Sequence, residues 1–172
     1  MPHTPIDNVA ALLPHSGNMV LLDTIHHYDA QSLHASARLR PGCILLPSGH
    51  NALPIWMGGE ILAQGIGAWA GAHALDRGQP VRLGFLLGSR KLHCDVAAIP
   101  IGTELDIHIR LSLQDDTGMG VFDCTLSCRT PAPGHEAHMP PGTRLMHGAM
   151  NVFSPASDAI LEQTLGRHPD TA

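Results

Sequence analysis

Glu60 and Gln64 stand four residues apart in the stretch "SGHNALPIWMGGEILAQGIGAWAG", residues 48 to 71, which otherwise holds one leading histidine among mostly apolar and glycine residues. A spacing of four puts two side chains on one helix face, one turn apart. Glutamate is almost never buried without a partner, so its presence here calls for a companion group or a cavity. Two chemistries fit. One is a structural carboxylate held by backbone amides or by an arginine from a strand. The other is a proton-transfer group whose proton is retained by an apolar surround.

The element carrying this pair is a single long helical candidate, residues 54 to about 77, with Pro54 at its first position and Gly78 just past its end. Gly58, Gly59, Gly65, Gly67 and Gly71 each cost about 1 kcal/mol relative to alanine in a helix interior, so packing must hold the helix. Missing side chains let a sheet approach its backbone, while Met57, Ile61, Leu62, Ile66 and Trp69 fill the space around it. A helix apolar on all sides is a buried one. A membrane span is disfavoured, because the run is mostly alanine and glycine and carries Glu60, Gln64 and His73.

The surrounding segments supply a sheet. Leu105, Ile107, Ile109, Leu111 and Leu113 alternate with polar residues, as do Phe122, Cys124, Leu126 and Cys128 after the turn-like "QDDTG", so residues 103 to 129 form an antiparallel hairpin. The apolar run "MVLLDTI" at residues 19 to 25 and the alternating Leu33, Ala35, Ala37 and Leu39 give a second hairpin. Residues 81 to 96 and 143 to 153 are the fifth and sixth strands. "PIDNVAALLP" forms a short helix stopped by Pro14, and "PAPGHEAHMPPG", residues 131 to 142, is a proline-rich surface loop. The expectation is one domain over residues 1 to 155 and a C-terminal tail over 156 to 172.

Composition narrows the function. A net charge of -5 with a single lysine argues against a nucleic-acid surface. The N-terminus lacks a basic start followed by a long apolar stretch, so a cytoplasmic location is expected. Four cysteines show neither a CxxC pair nor disulfide-framework spacing and are expected to be reduced core residues. None of the nearest clusters among thirteen histidines, His26-His27, His93-Cys94 and His135-x-x-His138, has zinc-site spacing, so no metal and no cofactor is expected.

"PIWMGGEILAQ" resembles the helix motif of bacterial 3-hydroxyacyl-acyl-carrier-protein dehydratases of the hotdog fold, matching at Pro54, Glu60, Leu62, Ala63 and Gln64. "LLPHSGNMVLLD" is similar to the same family's N-terminal Pro-His segment, with Asn18 in place of proline. "LGFLLGSRKLHCDVAAIPIGTELDI" resembles its strand, loop and Pro-x-Gly strand entry, with Pro100 and Gly102 in register. Together the segments look most like the dehydratase-like hotdog proteins of aryl-polyene pigment clusters, over about residues 10 to 130.

The resemblance implies an α+β hotdog fold, a long central helix wrapped by an antiparallel sheet of five to six strands. It also implies loss of water from a 3-hydroxyacyl thioester on acyl carrier protein, in aryl-polyene or fatty-acid-like biosynthesis. Glu60 then protonates the leaving hydroxyl, and His50 takes the proton beside the thioester carbonyl. Gln64 orients Glu60 or a water, backbone amides of Met57, Gly58 and Gly59 meet the enolate oxygen, and Trp56 completes the substrate-binding set. Gly49-His50 lies four residues before Pro54, whereas the family's catalytic Gly-His lies eight before the helix proline. His15, the second candidate, occupies a position that is structural in the family. Implied partners are acyl carrier protein, attracted by Arg82, Arg90 and Lys91, and a hotdog subunit of the same or a different kind. Two other readings remain open: an acyl-binding subunit that needs its partner's histidine, and a hotdog thioesterase.

Overall fold

The computed structural model describes residues 4–155; the tail expected after Pro155 lies outside them. Its strands are β1 (Thr24–Tyr28), β2 (Ser32–Arg38), β3 (Ala52–Pro54), β4 (Phe85–Cys94), β5 (Ala98–Pro100), β6 (Glu104–Gln114), β7 (Met119–Thr130) and β8 (Arg144–Phe153). One helix, α1 (Gly58–Asp76), runs between β3 and β4. Six strands form one antiparallel sheet in the order β1-β2-β6-β7-β8-β4, and β3 pairs with β5 in a small second sheet. No helix among the described residues is long and apolar enough to cross a membrane.

The alternation in β6 and β7 sets the layers. Leu105, Ile107 and Ile109 on β6 and Phe122, Cys124, Leu126 and Cys128 on β7 are buried against α1, and the residues between them face outward. Asp115 closes this hairpin by accepting hydrogen bonds from the amides of Thr117 (2.9 Å) and Met119 (3.1 Å), with its carboxyl held below the usual range first by the Thr117 hydroxyl. In the β1–β2 turn, Asp29 accepts from the amides of Gln31 and Ser32, each at 2.8 Å. Its carbonyl then accepts from Trp69 Nε1 at 3.0 Å, tying that turn to the helix.

Close approach explains the helix glycines. A Cβ on Gly65 would lie 2.9 Å from Ile109 Cγ1 and 3.0 Å from Ile107 Cγ2, so the inner face of β6 packs where side chains are missing. The C-terminus has the expected stop: Gly78 at φ +65°, its amide donating to Leu75 O (2.9 Å) and that of Gln79 to Ala74 O (2.8 Å). This crossed pair satisfies carbonyls that the last turn leaves open.

Three expectations need correction. The helix begins at Gly58, not Pro54, because Pro54 is paired to Ala98 in the small sheet and a 3-10 turn over Ile55–Met57 follows it. Residues 19 to 23 are not strand: a 3-10 turn covers Gly17–Met19, and β1 starts only at Thr24. The cysteines are all free but not all core, since Cys94 is exposed and Cys43 half-buried. Burial, followed by repulsion from Asp123, pushes the Cys124 thiol up to about 12, and burial raises Cys128 as well. Thiolate is the reactive form. Titration of the native protein with a disulfide reagent is therefore expected to modify Cys43 and Cys94 quickly, and Cys124 and Cys128 only on unfolding.

Candidate active site

A cavity of about 230 Å³ opens beside the first half of α1. Its helix wall includes Glu60, Gln64, Ile66 and Trp69, and the small Ala63, Gly67 and Ala70, which follow the acid at helical spacing, make room between them. Phe85 and Leu86 of β4, Phe122 of β7 and Val152 of β8 form the apolar side. Leu13, Pro14 and His15 close the N-terminal side. The ionisable groups in this lining are His15, Glu60 and Arg82.

Gln64 is 2% exposed and fully engaged. Its Oε1 accepts from the Leu21 amide at 2.9 Å, and its Nε2 donates to Met19 O at 2.7 Å and to Glu60 Oε1 at 3.4 Å. One buried amide thus clamps the N-terminal segment onto the helix and touches the acid one turn earlier. This explains why residues 19 to 21 are not strand: their polar groups are satisfied by a side chain. Glu60 itself is half-buried and forms no ion pair among the described residues, so it is not a carboxylate clamped by an arginine there.

Glu60 and Gln64 are the expected site residues that this cavity brings together. His50 is exposed on the loop before β3, with its amide donating to Pro47 O at 3.1 Å, and does not line the cavity. Trp56 is 67% exposed. Gly58 packs toward Leu126, and its amide is taken by the carbonyls of Ile55 and Trp56. Met57 and Gly59 also lie outside the lining. In their stead the cavity has His15, whose Nδ1 is buried and lacks a hydrogen-bond partner. The small-residue stripe after Glu60 is the signal in the sequence that marks this wall.

An imidazole and a carboxyl lining one mostly apolar pocket suit proton abstraction and return. The model of ApeP-like proteins, described as ApeP dehydratase, matches residues 7–164. The chain belongs to the ApeP-like dehydratase family. A solved structure, the dehydratase heterocomplex ApeI:P from Xenorhabdus doucetiae, is similar with 31% identity over 96% of this chain and 99% of that one, at a TM-score of 0.78. More distant likenesses include a mutant thioesterase from Pseudomonas aeruginosa (16% identity, 90% of this chain and 96% of that one, TM-score 0.56). Another is a hypothetical thioesterase with coenzyme A from Streptococcus pneumoniae (12% identity, 76% and 83%, TM-score 0.53). At such identities these two speak to the fold alone, and that fold is the hotdog, one long helix packed on a six-stranded antiparallel sheet. No curated protein matches the sequence significantly.

Proposed function

We propose that this ApeP-like protein dehydrates a 3-hydroxyacyl thioester, carried on acyl carrier protein, to the trans-2-enoyl thioester in aryl-polyene or related acyl-chain synthesis. The observation that carries the reading is the Glu60 carboxyl in a mostly apolar cavity that His15 also lines. In this reaction an imidazole removes the proton beside the thioester carbonyl, negative charge passes to the carbonyl oxygen as an enolate, and its collapse expels the 3-hydroxyl as water. Glu60 supplies the proton to that leaving hydroxyl. We assign the base to His15, the imidazole that lines the same cavity. Since Gly58's amide is already engaged, the enolate oxygen is met by other amides of the helix entrance or of a partner.

A second hotdog subunit belongs to the proposal. Leu83, Leu86 and Leu87 are 53%, 48% and 57% exposed in and just before β4, the terminal strand of the sheet, and Leu86 also lines the cavity. Such a strand calls for cover. The similar structure is a dehydratase heterocomplex, which supports a different hotdog chain as that cover. His50, exposed on its loop, is the other candidate imidazole, the base that the motif resemblance implies.

The test incubates the chain, alone and with a candidate hotdog partner, with 3-hydroxyacyl and trans-2-enoyl thioesters of acyl carrier protein. Interconversion of the two is expected, faster with the partner. Free-thiol release would replace the reading with a thioesterase, and no turnover in either arrangement would reject it. His50→Ala separates the imidazoles: it should leave a site made by His15 and Glu60 working, whereas loss of all turnover would return the base to His50.

A further inference from the structure

On the face of the sheet turned away from α1, strand pairing brings distant histidines into one line. His27 lies opposite His34, His34 opposite His108, His108 opposite Thr125, Thr125 opposite His147 and His147 opposite His93, crossing all six strands. Within this row the rings of His34 and His108 stack, with centroids 4.3 Å apart and planes 7° from parallel. Asp106, the previous outward residue of β6, places Oδ1 2.8 Å from His34 Nε2. One donor atom from each of His34, Asp106 and His108 lies within 4.8 Å of the others, and among the described residues no other group of three or more such side chains does this.

We propose that His34, Asp106 and His108 bind a divalent transition-metal ion, of which zinc is the representative, on the outer face of the sheet. Two imidazoles and one carboxylate suit zinc and its first-row neighbours, whereas magnesium and calcium favour all-oxygen shells. Zn–N and Zn–O distances of about 2.0–2.2 Å set donors on one ion roughly 3–3.5 Å apart. The β2–β6 register already fixes the backbones, so the remaining contraction needs only ring and carboxylate rotation at accessible side chains. Zinc displaces the proton shared between His34 Nε2 and Asp106, and water fills the open coordination positions. The exposed placement favours exchangeable binding over a folding-linked structural ion.

Arg129 opposes the ion. Its Nη1 lies 3.0 Å from the same Asp106 Oδ1, 3.1 Å from His26 Nε2, and its Nε is 3.9 Å from Glu104 Oε1. A carboxylate offers about four lone-pair positions, so Asp106 can serve both, but the guanidinium charge weakens the site. The second stacked pair, His93 and His147, is an internal control: its centroids are 5.0 Å apart, and its carboxylate, Asp95, is bound by Arg144 Nε at 2.8 Å.

Calorimetric titration of the full chain with zinc chloride in a non-coordinating buffer near neutral pH tests the site. Folding of each variant is checked by circular dichroism. One ion per chain is expected to bind at this site, with affinity reduced about tenfold or more by either His34→Gln or His108→Gln, at least the loss typical of outer-shell changes. His147→Gln should leave it unchanged, and Arg129→Gln should tighten it. Zinc affinity that survives both His34→Gln and His108→Gln, that is lost instead with His147→Gln, or that is absent from the wild-type chain at millimolar zinc would overturn the proposal.

Discussion

Glu60→Gln is expected to slow dehydration by about 10² to 10⁴, the usual worth of one positioned proton-transfer group, while the melting temperature stays close to that of the wild type. The substitution keeps the shape of the side chain and its contact with Gln64 Nε2. The clamp itself, from Gln64 to Met19 and Leu21, is untouched. What disappears is the proton for the leaving hydroxyl. His15→Ala should cost a comparable factor. The two together should cost little more than either alone, because groups that serve one transition state are strongly non-additive. Steady-state rates on a 3-hydroxyacyl thioester for both single variants and the double variant give this cycle. Turnover retained by Glu60→Gln would remove the carboxyl from the chemistry. Fully additive losses would mean that His15 and Glu60 act in separate steps.

Sequence reading succeeds here where a pattern is local. The alternation of Leu105, Ile107 and Ile109 predicts which face of β6 is buried, and Gly78 marks the helix end because only a left-handed residue completes its capping pair. It fails where a side chain or a distant strand takes over backbone bonds. Pro54 has the composition of a first helical residue, yet residues 52 to 54 pair with residues 98 to 100, which delays the helix to Gly58. The apolar run at residues 19 to 23 has the composition of a strand, but Gln64, up to 45 residues away, accepts its amide and donates to its carbonyl. Sequence adjacency likewise does not show that His15, 45 positions before Glu60, lines the same cavity. The outer-face ligand group is invisible to spacing rules altogether, since His34 and Asp106 meet across 72 positions. Family resemblance supplies what periodicity does not, the dehydratase family to which the chain belongs.

Gly71→Ala carries the largest expected effect on stability. A Cβ there would stand 1.9 Å from the Leu12 carbonyl oxygen and 2.8 Å from the Leu12 carbonyl carbon. No rotamer relieves such a contact, because the obstacle is backbone in the 3-10 turn Val9–Leu12, whose Val9 and Leu12 are buried in the core. Alanine improves helix propensity by about 1 kcal/mol, but overpacking typically costs about 1–3 kcal/mol and more when backbone must move. The net change is a loss of about 2 kcal/mol or more, equivalent to a melting temperature lowered by roughly 4–8 °C in a chain of this size. Relief by lifting the turn would also displace Leu13 to His15, the N-terminal wall of the cavity. Activity measured well below the melting point should therefore fall with stability. Gly59→Ala is the comparison, since a Cβ there meets nothing within 4 Å and adds only its propensity gain. Thermal unfolding of the two variants should move in opposite directions. A Gly71→Ala protein as stable as the wild type would mean that the N-terminal turn does not sit against α1 as described.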